Sequence, residues 1–274
     1  MEAFCGFFGQ KDKQLLMSMA NALSHRRGNE AEQLQQNEVS FYYSSPYRNW
    51  QQAKHAGFAS NGSAHIVIAG FFTHQQKTPQ QVLNDYLQLG TEALTALQGA
   101  FILALWDGEH AYLMRDGSGQ RTVYYAEHQN RLLFANEPKG IHRHTGFDRT
   151  LNPASLAQYL TFSFVPEEQT MLQGLYELMA GHLLHYHQGQ ITVKRYFIFE
   201  DTAIQEQDAV KRFQKHFSNA VSSRLSDDKV GVFLSGGLDS SVITAELAAQ
   251  TDPQKIYSYS IHFGKKYLNE LDYA

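Results

Sequence analysis

The sequence predicts two structural classes in one chain. An α+β domain is expected over residues 1–196, followed by a linker and the start of an α/β domain with a parallel sheet over residues 208–274. Short apolar runs recur in pairs around turn residues in the first part, which is typical of antiparallel hairpins. A strand–helix–strand pattern follows near the end, which is typical of a βαβ unit. The composition, 43% hydrophobic and 18% charged, suits a buried core.

The elements of the first domain are indicated by apolar runs, turn residues and helix caps. Thr78 and Pro79 supply an N-cap and a first helical position, and Gly90 ends that helix. Asn152 and Pro153 start a second short helix in the same way. The predicted strands cover residues 4–9, 38–45, 65–72, 100–106, 111–114, 122–126, 131–134, 182–186 and 190–196, and a helix through Leu15, Leu16, Met19 and Leu23 follows the first strand.

The second domain begins after a polar stretch, and residues 197–207 are predicted as the linker. Its expected elements are an amphipathic helix over 208–225, an apolar strand over 230–234, a helix over 240–250 and a strand over 256–263. Because a helix separates the two strands, they are expected to pair in parallel.

Charge, cysteine content and hydropathy exclude several classes of function. The net charge is −4 and the pI about 6.3, so neither nucleic acid nor an anionic membrane is an expected partner. A single cysteine excludes an intrachain disulfide, and with no signal peptide or apolar span visible we expect a cytoplasmic protein. The thirteen histidines show no ligand spacing, so His25, His182, His185 and His187 are expected to be surface or core residues rather than metal ligands.

The stretch FLSGGLDSSV, residues 233–242, carries the strongest functional signal. It joins a buried strand to a helix, and helix N-termini at the carboxyl end of a parallel sheet bind phosphate. Gly236 and Gly237 are expected to let the backbone approach an anion and to take positive φ. Ser235, Ser240 and Ser241 add hydroxyl donors, while Asp239 is expected to cap the helix or to help hold Mg²⁺.

SGGLDSS resembles the pyrophosphate-binding loop of the ATP pyrophosphatase (PP-loop) superfamily. The wording FLSGGLDSS after SSRLSDDKVGV resembles the asparagine synthetase family, as do YLTFSFVPEEQTMLQGLYELMAGHLL, LQGAFILALWD, YLMRDGSGQRTVYY and LLFANEPKGI further upstream. The resemblance implies an Ntn-hydrolase-like glutaminase domain of stacked antiparallel sheets, then a PP-loop (adenine nucleotide alpha hydrolase-like) synthetase domain. It implies ATP and Mg²⁺ as cofactors, with Asp239 as a metal ligand. The implied ATP and pyrophosphate contacts are Leu234, Ser235, Gly236, Gly237, Leu238, Asp239, Ser240, Ser241 and Ile261.

CGFFG near the N-terminus resembles the start of the family's glutaminase domain, which makes Cys5 the candidate catalytic nucleophile. In that family the cysteine is the first residue, and its α-amine, with a pKa of about 8, serves as the base. Here four residues precede Cys5, so this amine is free only if they are removed. The alternative is that Cys5 is a small buried apolar residue in a strand.

The rest of the implied glutaminase site is only partly present. Ala69-Gly70-Phe71 stands where the family has Asn-Gly-Glu, and loss of an oxyanion donor costs about 10²–10³ in rate. Gly70 can still donate from its backbone, and Arg48 is the candidate for the glutamine carboxylate. Arg27-Gly28-Asn29-Glu30 matches the family's RGPD stretch in part.

The resemblance therefore implies an ATP-dependent amide ligase, in which glutamine hydrolysis supplies ammonia to an adenylated carboxylate, with aspartate as the default acceptor. The alternatives are a relative with a retired glutaminase, similar to lasso-peptide cyclases or β-lactam synthetases, or an inactive nucleotide-binding fragment. The expected partners are small molecules, and a homodimer is possible. Since only two strands of the synthetase sheet are visible, we expect residues 1–274 to be an N-terminal portion that does not complete synthesis alone.

Overall fold

The computed structural model describes residues 2–28, 30–36, 38–46, 55–73, 77–143, 146–201, 203, 205–225, 229–262 and 264. Arg48, a predicted glutamine-binding residue, lies outside the described residues. The chain divides into two compact units, Met1–Phe199 and Glu200–Ala274. Within the described residues, no helix combines the length and apolar character that crossing a bilayer requires.

The first unit contains most of the secondary structure. Its strands are β1 (Ala3–Phe8), β2 (Ala31–Gln36), β3 (Val39–Ser44), β4 (Gly57–Asn61), β5 (Ala64–Phe72), β6 (Gly99–Trp106), β7 (Ala111–Arg115), β8 (Tyr124–His128), β9 (Arg131–Ala135), β10 (Tyr176–Glu177), β11 (His182–His187) and β12 (Gln190–Arg195). Its helices are α1 (Lys13–Ala22), α2 (Pro79–Leu89), α3 (Thr91–Thr95), α4 (Lys139–His142) and α5 (Pro153–Phe162).

Two antiparallel sheets, each six-stranded within the described part of the chain, form the body of this unit. The order in the first sheet is β10-β8-β9-β1-β3-β2, and the order in the second is β12-β11-β7-β6-β5-β4. The predicted hairpins are confirmed: β6 pairs with β7, β8 with β9, and β11 with β12. Strand β1 lies inside its sheet, paired with β3 on one side and β9 on the other.

The sheets stack face to face and are covered by helices on their outer faces. Phe4, Phe8 and Phe134 of the first sheet and Val67 and Ile102 of the second belong to one buried cluster between the sheets. The outer face of the first sheet packs against α1 and α4, and the outer face of the second against α2 and α3. This layered arrangement is the predicted Ntn-hydrolase-like fold.

Local caps begin the helices that the sequence predicts. Thr78 accepts a hydrogen bond from the Gln81 N–H, the Gln81 side chain reaches back to the Thr78 N–H, and Pro79 opens α2. Gly90 follows the last residue of that helix with φ of 67°. Asn152 caps α5 by accepting from the N–H groups of Ala154 and Ser155. These termini agree with the sequence prediction.

The second unit contains α6 (Glu206–Ser222), β13 (Val230–Phe233), α7 (Leu238–Gln250) and β14 (Ile256–Tyr259). Strands β13 and β14 pair in parallel, with Val230 opposite Ile256 and Phe233 opposite Tyr259. The predicted βαβ unit is therefore confirmed. Helix α6 packs against α7, and the Gln250 amide donates to the Ser218 carbonyl across that contact.

Gly70 in β5 requires glycine on two grounds. Its φ is +114°, and a Cβ there would lie 2.0 Å from the carbonyl oxygen of Ala100. Gly57 has nearly the same φ, +112°, but has open space where its Cβ would be. Comparing alanine substitutions at the two residues therefore separates the cost of backbone strain from the cost of a steric clash.

We predict that Gly70→Ala destabilises the protein more than Gly57→Ala does. Strain alone costs about 1–3 kcal/mol, and the clash with the neighbouring strand adds at least about 2 kcal/mol because backbone on two strands must move. Urea unfolding of both variants measures the difference. Equal midpoints for the two variants would contradict the predicted clash.

Candidate functional sites

The side chain of Cys5 lies under helix α1. Because side chains alternate along a strand, Phe4 enters the cluster between the sheets while Cys5 lies on the opposite face of β1. There it joins a buried cluster with Leu16 and Met19 of α1, and its exposed fraction is 0%. In register, Cys5 faces Tyr42 on β3 and Ala135 on β9. Cys5 thus packs as a small apolar residue in a central strand.

This environment opposes formation of the thiolate. Burial raises the pKa of the Cys5 thiol far above its ordinary value, because a thiolate would lose its hydration. The positive charge of Arg27 acts in the opposite direction but is the smaller influence. The Arg27 guanidinium lies over the ring of Tyr42, 5.6 Å from its centroid. Since the thiolate is the nucleophilic form, Cys5 is held in its unreactive form here.

The residues before Cys5 are built into the fold. Ala3 and Phe4 are fully buried in β1, and Asn136, which follows β9, holds their backbone. The Phe4 N–H donates to the Asn136 side-chain oxygen over 3.2 Å, and the Asn136 N–H donates to the Phe4 carbonyl over 2.9 Å. The Asn136 side-chain amide also donates to the Glu2 carbonyl over 2.8 Å. The α-nitrogen of Cys5 is consequently an internal peptide nitrogen within a paired strand.

The carboxylate of Glu2 contacts the backbone donor that the sequence assigns to glutamine. One of its oxygens accepts from the Gly70 N–H over 3.1 Å, and the other forms an ion pair with Arg121 over 2.8 Å. Glu2 itself is buried, with 7% of its surface exposed. Gly70 lies on β5, so this contact joins the N-terminus of the first sheet to the second sheet.

Arg121 reaches Glu2 from a tightly ordered loop after β7. Asp116, fully buried, accepts hydrogen bonds from the N–H groups of Ser118, Gln120 and Arg121, at 3.0–3.1 Å. Arg115 forms its ion pair with Glu177 over 2.7 Å. Arg115 and Asp116 therefore have structural roles, and Asp116 orients Arg121 through the loop.

Sequence reasoning did not identify Glu2, Arg121 or Asn136. Glu2 is the one charged residue among the first nine residues of the sequence, and that isolation could have drawn attention to it. Arg121 and Asn136 offered no local signal, because their role depends on contacts more than a hundred residues away in the chain. Ala69, which replaces a family asparagine, is buried in the cluster between the sheets.

The predicted pyrophosphate loop lies between β13 and α7. The Ser240 hydroxyl accepts from the Ser235 N–H over 3.2 Å and donates to the Gly237 carbonyl over 3.0 Å. The Ser235 hydroxyl accepts from the Gly237 N–H over 3.2 Å. These bonds fold the loop back onto the first turn of α7, so Ser235, Ser240 and the glycines lie together.

The structure contradicts one local expectation for this loop and excludes one of the two alternatives for Asp239. Gly236 has φ of +91°, as expected, but Gly237 is extended with φ of −73° because it is the N-cap residue of α7. Asp239 lies in the first turn and does not cap the helix, which begins at Leu238 without a side-chain cap. The first N–H groups of α7 therefore have no capping side chain, which is the arrangement that binds an anion.

The two predicted nucleotide contacts outside the loop lie at its edge. The Leu234 N–H donates to the Tyr259 carbonyl over 2.9 Å, and the Ser260 hydroxyl donates to the Leu234 carbonyl over 2.6 Å. Ile261 follows Ser260 directly and is 65% exposed, while Leu238 is 78% exposed. The structure thus brings Leu234 and Ile261 to the same end of the parallel sheet, beside an exposed apolar surface.

These residues fit a nucleotide by the chemistry of their donors. An uncapped helix terminus and serine hydroxyls suit a pyrophosphate, and exposed apolar side chains suit a base. Asp239, exposed in the first turn of α7, supplies a carboxylate of the kind that Mg²⁺ accepts. Leu234, Ser235, Gly236, Gly237, Asp239, Ser240, Ser241 and Ile261 would hold the nucleotide.

We predict that Cys5 is inert toward thiol reagents in the native protein. Its thiol is fully buried and its pKa is raised, so both access and thiolate are lacking. Alkylation followed by peptide mapping should modify Cys5 at least about 100-fold more slowly in native than in urea-unfolded protein. Rapid modification of the native protein at neutral pH would show that the thiol is accessible and would contradict the buried placement.

Comparison with known proteins agrees with this division into two parts. The profile of the glutamine amidotransferase domain matches residues 72–197, and that of asparagine synthase matches residues 212–274. The first match begins after Cys5 and Gly70, so it covers neither. The second match includes the whole loop from Leu234 to Ser241.

Curated relatives cover most of this chain. Asparagine synthetase [glutamine-hydrolyzing] 1 of Bacillus subtilis is 29% identical over 76% of this chain and 34% of its own length. Amidase chyE of Penicillium rubens is 28% identical over 75% of this chain and 29% of its own length. The chain thus spans about a third of the length of the curated relatives it matches.

A solved structure, the glutamine phosphoribosylpyrophosphate amidotransferase of B. subtilis complexed with ADP and GMP, aligns with 97% of this chain and 68% of its own. The TM-score of this alignment is 0.44 and the identity 12%. Together, the amidotransferase match, the asparagine synthase match at the pyrophosphate loop and the curated relatives place this chain in the asparagine synthase family.

Proposed function

We propose that this chain is part of an ATP-dependent, amide-forming ligase of the asparagine synthetase type. The observation that carries the proposal is the serine- and glycine-rich loop 235–241, which lies at the uncapped N-terminus of α7 and the carboxyl end of a parallel sheet. ATP would be a substrate here. The acceptor is a carboxylate, with aspartate as the default.

The proposed reaction has two steps. The acceptor carboxylate attacks the α-phosphorus of ATP and releases pyrophosphate, and ammonia then displaces AMP to leave an amide. In the first step the leaving pyrophosphate carries the developing charge. Donors placed beforehand at the α7 terminus, with Ser235 and Ser240, would stabilise that charge. Leu234 and Ile261 would contact the nucleotide, and Asp239 would help hold Mg²⁺ beside the phosphates.

The proposal takes two forms, which differ in the source of the ammonia. In the first form, Cys5 hydrolyses glutamine after removal of Met1–Phe4, and its freed α-amine serves as the base. Gly70 then loses Glu2 as a partner and is available to a developing oxyanion. Arg121, released from the same carboxylate, becomes available to a substrate carboxylate.

In the second form, the glutaminase is retired and ammonia or another amine reaches the acceptor directly. Three observations favour it: Cys5 packs under α1, Ala69 lacks an oxyanion-donating side chain, and Glu2 occupies the Gly70 N–H. Residues 2–4 then serve to complete the sheet. The inactive nucleotide-binding fragment stays a third possibility, which ATP turnover by the intact protein would exclude.

The cytoplasmic location and a possible homodimer remain predictions. Glutamine, ATP and a carboxylate acceptor are the proposed small-molecule partners, in keeping with the two family matches.

We predict that Ser240→Ala weakens ATP binding about 10- to 100-fold, because a hydrogen bond to a charged group contributes about 1.5–3 kcal/mol. Thr244→Ala is the matched control. Its hydroxyl bonds to the Ser240 carbonyl one turn further into α7, away from the terminus, so affinity should stay within about twofold. Calorimetric titration with Mg²⁺-ATP measures both. Equal affinities of the two variants for Mg²⁺-ATP would show that the loop is not part of the nucleotide site.

We further predict that protein retaining residues 1–4 shows no glutamine hydrolysis above that of its Cys5→Ser variant, since Cys5 then lacks a free amine and a thiolate. Glutamate release in the presence of ATP and the acceptor is the measurement, because the ligase step would consume the ammonia. Cys5-dependent release from the uncleaved protein would contradict the prediction. A protein that begins at Cys5 then distinguishes the two forms of the proposal. Glutamine hydrolysis by this protein supports the first form, and its absence supports the second form, in which the glutaminase is inactive.

A further inference from the structure

A group of imidazoles and a carboxylate lies at one end of the second sheet. Glu109 and His110 lie in the turn between β6 and β7, and His185 and His187 lie on β11. Residues 185 and 187 share a face of β11, because side chains alternate along a strand. One ligand atom from each of Glu109, His110 and His187 lies within 4.8 Å of the other two. No simple spacing in the sequence marks this group, because the turn and the strand are 75 residues apart.

In His110 and His187 one ring nitrogen has a hydrogen-bond partner and the other nitrogen is left for a different one. His187 Nδ1 lies 3.3 Å from the Glu109 carbonyl oxygen, to which it can only donate, so Nε2 is the nitrogen left for another partner. That Nε2 atom lies 4.0 Å from the Glu109 carboxylate. His110 Nδ1 lies 3.0 Å from His185 Nε2, which leaves His110 Nε2 for another partner. Hydrogen bonding of the far nitrogen is how proteins orient histidine ligands.

The backbone that carries the group is already ordered. Asp107 accepts from the N–H groups of Glu109 and His110 and from the Tyr86 hydroxyl, which fixes the turn. Tyr112 stacks on His185, with ring centroids 5.0 Å apart and planes 19° apart. The Glu109 side chain is 70% exposed and can rotate toward the histidines.

We propose that Glu109, His110 and His187 form a binding site for a divalent transition metal of the zinc class, with His185 as a positioning residue. Two imidazoles and one carboxylate are a ligand set that Zn²⁺ takes, with a fourth position left to water. Tetrahedral bonds of about 2.0–2.1 Å place ligand atoms about 3.3 Å apart. The present separations therefore contract on binding, and the exposed Glu109 side chain supplies most of that movement.

The site is distant from Gly70, one of the residues assigned to glutamine. Gly70 pairs with Phe101 near one end of β6, and His110 follows Trp106 at the other end. Trp106 lies five residue steps along the strand from Phe101, or about 17 Å. The metal therefore ties the β6–β7 turn to β11, at the end of β6 away from Gly70.

Zinc binding to the intact, chelator-treated protein tests the proposal, with calorimetry for affinity and Co²⁺ absorption for geometry. We expect one site per chain and the visible absorption of four-coordinate Co²⁺. His187→Gln and Glu109→Gln should each weaken Zn²⁺ binding at least tenfold. The second variant changes an exposed side chain and so protects the test against loss of folding.

His182→Gln is the matched control, since His182 lies on the same strand and bonds instead to the Ala180 carbonyl. Its affinity should equal that of the unaltered protein. His185→Phe should weaken binding about 10- to 100-fold, as is typical when the partner of a ligand is removed. His185→Gln, which keeps an acceptor, should restore most of the affinity. Absence of saturable binding, or equal affinities in the His187→Gln and His182→Gln variants, would overturn the assignment.

Discussion

The pairing of strand β1 on both of its edges is the constraint on which the first unit depends. A strand held by β3 on one side and β9 on the other cannot shift its register without turning every side chain to the opposite face. The register that buries Phe4 and Phe8 between the sheets therefore places Cys5 under α1. Asn136 extends the same pairing to Glu2, so the chain before Cys5 is held as firmly as the chain after it.

Much of the fold could be predicted from local sequence because local chemistry decides it. The Thr78 capping box, the Gly90 stop and the βαβ pattern around residues 230–259 all lie within a few residues of the feature they determine. The unpredicted strands, β2, β4 and β10, all lie at the edges of their sheets. An edge strand has one paired neighbour and needs less apolar surface, so AEQLQQ in β2 carries no clear strand pattern.

The candidate sites differ in the same way: one is formed by residues close in sequence, and the others join residues that are far apart. The predicted pyrophosphate loop is contiguous in sequence, and its residues lie together because one turn carries them. Its details still depended on the backbone, since Gly237 rather than Asp239 became the N-cap. The contact of Glu2 with Gly70 and Arg121 joins residues 68 and 119 positions apart, and the histidine group joins a turn to a strand 75 positions later. Such contacts depend on strand order and register, which no single stretch of sequence specifies.

In the proposed glutaminase site, the carboxylate of Glu2 would compete with the glutamine substrate for the same hydrogen-bond and ion-pair partners. A buried carboxylate needs partners, and here it has a cationic one in Arg121 and a backbone one in Gly70. A glutamine substrate presents similar groups, a carboxylate and an amide oxygen that gains negative charge as a nucleophile attacks. The same two donors suit either occupant, but Glu2 is covalently attached and already ordered, so it pays no entropy of association. If Gly70 and Arg121 bind glutamine as proposed, Glu2 competes with glutamine for these two donors while residues 2–4 remain in the sheet. In the same state Cys5 has no free α-amine. The competition by Glu2 and the blocked α-amine of Cys5 both arise from the short segment before Cys5. Removal of that segment would therefore remove both obstacles.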